Sequence, residues 1–229
     1  MFSLTLASRC WLCHQPLQLA RHGICSLCVR QLSPFPLCCP RCGLPSAHPH
    51  APCGRCLLKP PPWQSLIFAS PYQPPLSSLL LRFKYAAAPE LAPPLARLLL
   101  LRWLARWRAG EVVRPEVVLS IPLHRQRYRQ RGYNQADLLA RPLAKWIGCH
   151  YWPHALLRLR ATPPQQLLCE AERRRNLHRA FRCIQPLAGK HIALIDDVVT
   201  TGSTISEASN ILNKQEIASL QIWCICRTL

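Results

Sequence analysis

Two adjacent carboxylates followed by a hydroxyl-rich turn form the segment of this chain best suited to chemistry. Asp196 and Asp197 could accept hydrogen bonds from vicinal sugar hydroxyls or hold a magnesium ion. The turn after them offers hydroxyls and backbone N–H groups to a phosphate. Its residues are Thr200, Thr201, Gly202, Ser203 and Thr204. The segment therefore indicates a sugar-phosphate site, although any one of these residues alone could be an ordinary turn or helix cap.

The elements around this segment are typical of an α/β sheet. His191 to Ile195 is a short apolar run, which predicts a buried parallel strand, and a helical pattern begins near Ile205. Parallel strands end at ligand crevices, and a helix N-terminus attracts phosphate. The chain contains neither a Gly-rich Lys-Ser/Thr loop nor a Gly-x-Gly-x-x-Gly fingerprint, which argues against a nucleoside-triphosphatase or dinucleotide site.

A second apolar run leads into a cluster of arginines. Val117 to Leu123 predicts another strand, and residues 124–131 after it predict a cationic loop at the same crevice, where Arg125 and Arg131 could bind phosphate oxygens. A helix is expected from about Asn134 to Ile147, kinked at Pro142. A solvated basic turn is the alternative.

A third stretch, residues 158–176, alternates prolines and arginines without a clean period. It predicts a mobile loop over the phosphate site, with a solvent-exposed linker hairpin as the alternative.

Four Cys-x-x-Cys pairs occupy fewer than fifty residues near the N-terminus. The pairs are Cys10 and Cys13, Cys25 and Cys28, Cys39 and Cys42, and Cys53 and Cys56. Two intervening residues let both thiolates of a pair reach one metal, and four thiolates complete a tetrahedral zinc shell. The pattern therefore predicts two structural zinc ions in a duplicated zinc ribbon. Sequential pairing is favoured, interleaved pairing stays open, and disulfides are a further alternative.

Composition divides the chain at the same point. Of the 14 cysteines, nine fall before residue 63, whereas the long apolar runs come after it. The sequence predicts a zinc-ribbon module over residues 1–62 and an α/β domain over residues 63–229, joined at the prolines 60–62.

The formal charge of +19 indicates an anionic partner, because part of it is concentrated in two strongly basic stretches. Nucleic acid explains the surplus better than a small phosphate alone; a membrane surface or plain solubility is the alternative.

The apolar run of residues 2–7 is too short for a secretory signal, so a cytoplasmic location is expected. Leu91 to Trp107 predicts an amphipathic helix on the sheet rather than a transmembrane span, because Arg97, Arg102 and Arg106 interrupt it. Attachment of this helix to a membrane surface stays open.

From Ile195 to Thr204 the chain resembles the phosphoribosyl pyrophosphate (PRPP) signature of type I phosphoribosyltransferases. With the cysteine pairs and the two basic stretches in the same order, nearly the whole chain resembles the ComF/GntX family. The family pattern appears here at Pro122, Leu123 and His124, at Arg131 to Gln135, at Arg160, Thr162 and Gln165, at Arg173 and Asn176, and at Asp196 to Thr204. The resemblance implies a type I phosphoribosyltransferase-like parallel sheet with flanking helices and an N-terminal zinc-binding module.

The resemblance also implies a role in natural transformation and in the use of external DNA as a nutrient. PRPP with Mg²⁺ would then bind at Asp196 and Asp197 and at the turn 200–204, and single-stranded DNA would be a partner. Pyrophosphate or DNA would meet a group of basic residues: Lys84, His124, Arg125, Arg131, Arg160 and Arg173. Trp11, Tyr128 and Tyr133 could stack on bases.

Two alternatives remain. The chain could be a metabolic phosphoribosyltransferase acting on an unidentified base, or a non-catalytic zinc-ribbon adaptor. A DNA-uptake helicase or channel at the inner membrane is the expected protein partner, which would place the chain at the periphery of that membrane.

Overall fold

A computed structural model describes residues 8–32, 37–159 and 180–229, and five parallel strands form its central sheet in the order β1-β7-β6-β2-β3. A separate antiparallel pair joins β4 to β5. The strands along the chain are β1 (Ser65–Pro71), β2 (Val117–Ser120), β3 (His150–Tyr151), β4 (Leu156–Arg158), β5 (Phe181–Cys183), β6 (His191–Val199) and β7 (Ser219–Arg227).

Helices cover both faces of this sheet. The α-helices are α1 (Ser26–Gln31), α2 (Gly54–Leu58), α3 (Leu76–Tyr85), α4 (Ala92–Arg108), α5 (Arg125–Arg131), α6 (Gln135–Ile147) and α7 (Ser203–Asn213), and short 3₁₀ turns lie at Ala20–His22 and Pro89–Leu91. Two hydrophobic clusters result, one on each side of the sheet. The expected fold class is confirmed: a parallel sheet with flanking helices, and clusters of cysteines at the N-terminal end.

The central strand β6 is buried on both faces, as an apolar strand of a parallel sheet should be. Ile192 and Leu194 contribute to the cluster that contains α7, whereas Ala193 and Ile195 contribute to the cluster that contains α3, α4 and α6. The predicted strand is confirmed, but it continues to Val199 because β7 keeps pairing with it. The two carboxylates therefore belong to the strand itself rather than to a turn after it.

The predicted amphipathic helix is confirmed as α4, which packs on the sheet and on α6. The arginines that interrupt its apolar pattern hold the cysteine-rich segment. Arg97 donates to the carbonyl of Ile24 at 3.4 Å, Arg102 to that of Leu32 at 3.2 Å and Arg106 to that of Pro40 at 3.5 Å. Within the ranges given above, no helix has the length and apolarity to cross a membrane.

The predicted cationic loop after β2 is wrong in its conformation, because residues 125–131 form the short helix α5. The His124 ring begins it by accepting a hydrogen bond from the Gln126 N–H at 3.3 Å. Gly132 ends it with a φ of 77°, a left-handed conformation that glycine adopts without steric cost. The next helix, α6, runs through Pro142 and ends at Ile147 as predicted.

Candidate functional site

A cavity of about 700 Å³ opens at the carboxyl ends of β2 and β6. These strands are neighbours in register, with Ser120 opposite Ile195, so the segments that leave them meet at one edge of the sheet. Six residues of the predicted site line this cavity: Lys84, Arg131, Asp196, Asp197, Thr200 and Thr204. The structure thus brings the acidic pair, part of the hydroxyl-rich turn and two cations to one place.

Lys84 and Asp197 form the closest charge pair in the cavity. The Lys84 Nζ lies 3.0 Å from the Asp197 Oδ2, and their side chains are only 16% and 13% exposed. Burial opposes the lysine charge, but Asp197 outweighs it and the pKa of Lys84 is raised. The pair places a fixed positive charge beside a carboxylate, which suits a ligand with both hydroxyl and phosphate groups.

The carboxyl group of Asp196 has a shifted pKa. Burial and the adjacent Asp197 charge raise the pKa of Asp196 to about 7, although Lys84 and Arg158 act in the opposite direction. Its Oδ1 accepts a hydrogen bond from the Asp197 N–H at 2.8 Å. Asp196 therefore ionises close to neutral pH, and a bound cation would favour its charged form.

The hydroxyl-rich turn divides between two sides. Thr200 and Thr204 line the main cavity, whereas Thr201 and Gly202 line a second cavity of about 300 Å³ beside the cysteine pairs. Ser203 begins α7, and its N–H donates to the Thr201 Oγ1 at 3.4 Å. Gly202 has a φ of 78°, a left-handed conformation that a residue with a β-carbon adopts only with strain. The N-terminal N–H groups of α7 follow this left-handed turn.

The helical conformation of α5 sorts its arginines by face. Arg127 and Arg131 are four residues apart, so they share a face, and both line the main cavity. His124 and Arg125 instead lie beside a shallow neighbouring cavity of about 400 Å³, together with Arg129. Arg125 and His124 are therefore not brought to the acidic pair, although they were grouped with Arg131 on the basis of sequence.

Six further polar residues that line the cavity were missing from the predicted site: Tyr85, Arg127, Gln130, Asn134, Gln135 and Arg158. If residues 125–131 had been predicted as a helix, the four-residue spacing of Arg127 and Arg131 would have placed Arg127 on the cavity side. Tyr85 follows Lys84 directly; it is 70% exposed, and the Arg131 guanidinium lies 5.1 Å from its ring centroid. Arg158 is the first residue of the third basic stretch, but its place in the cavity could not be predicted because it depends on the pairing of β4 with β5.

The three aromatic candidates for base stacking have different surroundings. Tyr133 donates its hydroxyl hydrogen to the Phe83 carbonyl and packs against that ring at 5.8 Å. Trp11 packs against the hydrophobic core, below the Arg82 guanidinium. Tyr128 is 52% exposed on α5. Of the three, Tyr128 offers the most open ring.

Of the third basic stretch only Arg158 and Leu159 are described, and Arg158 lines the main cavity. Its family-like residues Arg160, Thr162, Gln165, Arg173 and Asn176 all lie outside the described residues.

The eight paired cysteines form two compact groups. The first contains Cys10, Cys13, Cys25 and Cys28, and the second contains Cys39, Cys42, Cys53 and Cys56; within each group all sulfur atoms lie within 4.8 Å of one another. The grouping is sequential rather than interleaved. Both groups repeat the same local design, because in each the third cysteine stands at the N-cap of a short helix and donates its N–H to the first cysteine's sulfur.

The spacing of the sulfur atoms fits a tetrahedral metal site. The Cys13 and Cys25 sulfurs are 3.7 Å apart, as are those of Cys42 and Cys53, and Zn–S bonds of about 2.3 Å require roughly 3.8 Å between sulfurs. Burial opposes ionisation of Cys10, but backbone N–H groups outweigh it and lower its pKa to about 6. Both groups could hold a metal ion.

The chain has close relatives along nearly its entire length. It is 47% identical over 226 residues to DNA utilization protein YhgH of Escherichia coli O157:H7, which covers 99% of this chain and 100% of that protein. It is 36% identical over 222 residues to Competence protein F of Haemophilus influenzae, which covers 96% of each. No family model matches the chain.

Among solved structures, adenine phosphoribosyltransferase from Saccharomyces cerevisiae aligns with 60% of this chain and 70% of its own, at 18% identity and a TM-score of 0.37. That similarity is too low to say anything about the site. The sequence relatives, together with the two cysteine groups, show that the chain belongs to the ComF/GntX family of DNA-utilisation and competence proteins.

Proposed function

We propose that this protein binds PRPP with Mg²⁺ in the cavity at the ends of β2 and β6, and that it handles single-stranded DNA along the adjoining basic helix α5. The observation that carries the proposal is the convergence of Asp196, Asp197 and Lys84 with Thr200 and Thr204 in one cavity. Every part of a ribose phosphate has a chemically matched partner there.

The ligand groups can be assigned by chemistry. Thr200, Thr204 and the N-terminal N–H groups of α7 would hold the 5-phosphate. Asp196 and Asp197 would accept hydrogen bonds from the ribose hydroxyls, and their carboxylates also suit Mg²⁺. Mg²⁺ would neutralise the pyrophosphate.

The cations at the far side of the cavity complete this arrangement. Arg127, Arg131 and Arg158 line it together with Lys84. Guanidinium groups can bind pyrophosphate oxygens in pairs. Of the predicted pyrophosphate ligands, Lys84 and Arg131 are kept in this role, and Arg127 and Arg158 are added.

Calorimetric titration with PRPP and Mg²⁺ tests this function. We expect saturable binding at one site per chain, and Asp196→Asn with Asp197→Asn should remove it. A pyrophosphate-release assay then shows whether bound PRPP is turned over. Run with and without single-stranded DNA, it also identifies the acceptor: release that needs a nucleobase instead of DNA would indicate a metabolic transferase. The absence of saturable PRPP binding would refute the proposal.

Binding of PRPP should depend on pH through Asp196. Its pKa of about 7 means that the carboxyl is neutral in more acidic solution and ionised in more basic solution. Only the ionised form attracts Mg²⁺ and accepts hydrogen bonds with full strength, so affinity should rise about tenfold between pH values of about 6 and 8. Calorimetry across this range measures the effect.

Asp196→Asn is the matched control for this pH dependence. PRPP phosphates also titrate near pH 6. Their effect on affinity is the same for the unmodified protein and for Asp196→Asn. The difference between the two pH profiles therefore belongs to Asp196. Parallel profiles would contradict the assignment.

The proposed DNA surface is the outer side of α5. Arg125 and Arg129 are exposed and lie next to the shallow cavity beside His124, and Tyr128 offers an open ring between them. Arginines bind phosphates through charge and aromatic rings stack on bases without sequence preference. This surface adjoins the PRPP cavity, since Gln130 lines both.

Removing two charges from α5 should weaken DNA binding and its salt dependence. For Arg125→Ala with Arg129→Ala, we expect the slope of log affinity against log salt to fall by about 1.4, or roughly 0.7 per contact with a single strand. Fluorescence anisotropy with a labelled oligonucleotide between about 50 and 300 mM salt measures it.

Arg108→Ala removes a comparable exposed charge from the C-terminal end of α4. The chain continues from Arg108 to the start of β2, whereas α5 follows the end of β2. Arg108 therefore lies at the end of the sheet opposite to α5. Its slope should match that of the unmodified protein. If Arg108→Ala and the α5 variant have equal slopes, α5 is not the DNA surface.

The two cysteine groups complete the proposed function as structural Zn²⁺ sites. Each has four thiolates and so leaves no open position for catalysis. The competence-related names of the relatives favour a partner from the DNA-uptake apparatus, a helicase or channel at the cytoplasmic side of the inner membrane.

A further inference from the structure

A buried arginine at the end of β7 joins the second cysteine group to the hydroxyl-rich turn. Arg227 is only 7% exposed. Its Nε donates to the Cys42 carbonyl at 3.0 Å, and its Nη1 donates to the Val199 carbonyl at 3.1 Å and to the Thr200 carbonyl. One side chain therefore contacts a cysteine of the second group and the first residue of the turn.

The chemistry of the guanidinium makes this contact rigid. Its donors are fixed in one plane, so the carbonyls that accept from it cannot move independently. The group is buried, and leaving one of its donors without a partner there would be costly. A displacement of Cys42 would therefore be transmitted to Val199 and Thr200.

Trp63 forms a second connection between the second cysteine group and the hydroxyl-rich turn. The Trp63 Nε1 donates to the Arg41 carbonyl at 2.7 Å, and the Arg41 Nε donates to the Trp63 carbonyl at 3.1 Å. Arg41 lies between the cysteines of one pair, while Trp63 lines the 300 Å³ cavity together with Thr201 and Gly202. The same cysteine pair is thus connected to the turn on two sides.

The first cysteine group is anchored elsewhere. Cys10 and Cys28 belong to the hydrophobic cluster that contains α3, α4 and α6, and Arg97 of α4 donates to the nearby Ile24 carbonyl. The two groups share a local design, and arginines of α4 contact both, but the contacts with the turn 200–204 described above come from the second group.

We propose that Arg227 is a positioning residue through which the second cysteine group, when it holds its metal, fixes the turn 200–204 in the conformation that binds phosphate. Metal at the second group then sets the affinity for the phosphate end of the ligand, and metal at the first group does not. The ligand-binding part of this inference rests on the proposed PRPP site; the effect on the turn itself does not.

Arg227→Lys tests the inference, because it keeps the charge but loses the planar fork. Arg97→Lys is the matched control at the first group. Amide hydrogen exchange of a peptide covering residues 198–204 is measured together with zinc content and PRPP affinity. We expect Arg227→Lys to keep two zinc ions per chain, to exchange about tenfold faster in this peptide and to bind PRPP about tenfold more weakly. Arg97→Lys should leave the peptide and the affinity unchanged.

A second pair of variants tests the effect of metal loss directly. These variants also test the inference if Arg227→Lys does not fold. Cys53→Ser removes metal from the second group and should speed exchange in residues 198–204, whereas Cys13→Ser at the first group should not. Unchanged exchange in the turn after Arg227→Lys or Cys53→Ser overturns the inference.

The two proposals fail in different ways. If the unmodified protein does not bind PRPP, the proposed function fails while the exchange data still decide the role of Arg227. If it binds PRPP and Arg227→Lys changes neither affinity nor exchange, the positioning role fails and the function stands.

Discussion

Asp197→Asn is expected to reduce PRPP affinity about a hundredfold and to destabilise the protein at the same time. The substitution removes a charged acceptor for the ribose and leaves the Lys84 ammonium, 3.0 Å away and 16% exposed, without its nearest counter-charge. Removing one partner of a buried pair costs about 3 kcal/mol, which lowers the Tm by roughly 6 to 12 °C in a chain of this size. Calorimetry and thermal unfolding measure the two effects.

The double variant Lys84→Met with Asp197→Leu separates binding from stability. An apolar pair of similar volume commonly replaces a buried ion pair without loss of stability. The Tm should therefore return close to that of the unmodified protein, while PRPP binding stays absent. Full affinity in Asp197→Asn would show that the carboxylate does not touch the ligand.

Loss of a cysteine ligand is expected to have the largest effect on the N-terminal region. Structural zinc contributes on the order of 10 kcal/mol to folding of a small module. Cys28→Ser should lower the zinc content from two ions to one and release the first cysteine group from α4, because Cys10, Ile24 and Cys28 share the core with that helix. Elemental analysis and limited proteolysis between residues 8 and 32 measure the change.

Cys149→Ser is the matched control for this loss. Cys149 is a partly buried thiol outside both cysteine groups, and its sulfur lies near the Ala144 carbonyl. This variant should keep both zinc ions and its resistance to protease. Two zinc ions in Cys28→Ser would exclude the proposed coordination.

Local sequence was sufficient for the features that depend on short-range chemistry. An apolar strand leading into Asp196 and Asp197, the turn before α7 and the two-residue spacing of each cysteine pair are all encoded by neighbours along the chain. The same holds for α4, whose apolar residues recur with a helical period. These elements could be predicted because their periodicity and ligand spacing are local properties.

The arginines of residues 125–131 show where prediction from local sequence failed. Their charge density predicted a cationic loop at the crevice, but His124 and Gly132 cap a helix there, and the helical period then divides Arg127 from Arg125. Of the two arginines predicted at the crevice, Arg131 lines the cavity but Arg125 does not, and Arg127 lines it without having been predicted. A two-residue difference in position matters because helical residues two positions apart point in different directions.

The sequence by itself determined that this chain has an acidic pair next to a phosphate-type turn, two sets of four cysteines and an excess of positive charge. Only the tertiary structure decided which side chains meet. The contacts of Lys84 with Asp197 and of Arg227 with Cys42 join residues more than a hundred positions apart. The order of strands in the sheet and the packing of the cysteine-rich segment create these contacts, because burial and hydrogen bonding act on spatial neighbours and carry no local sequence period.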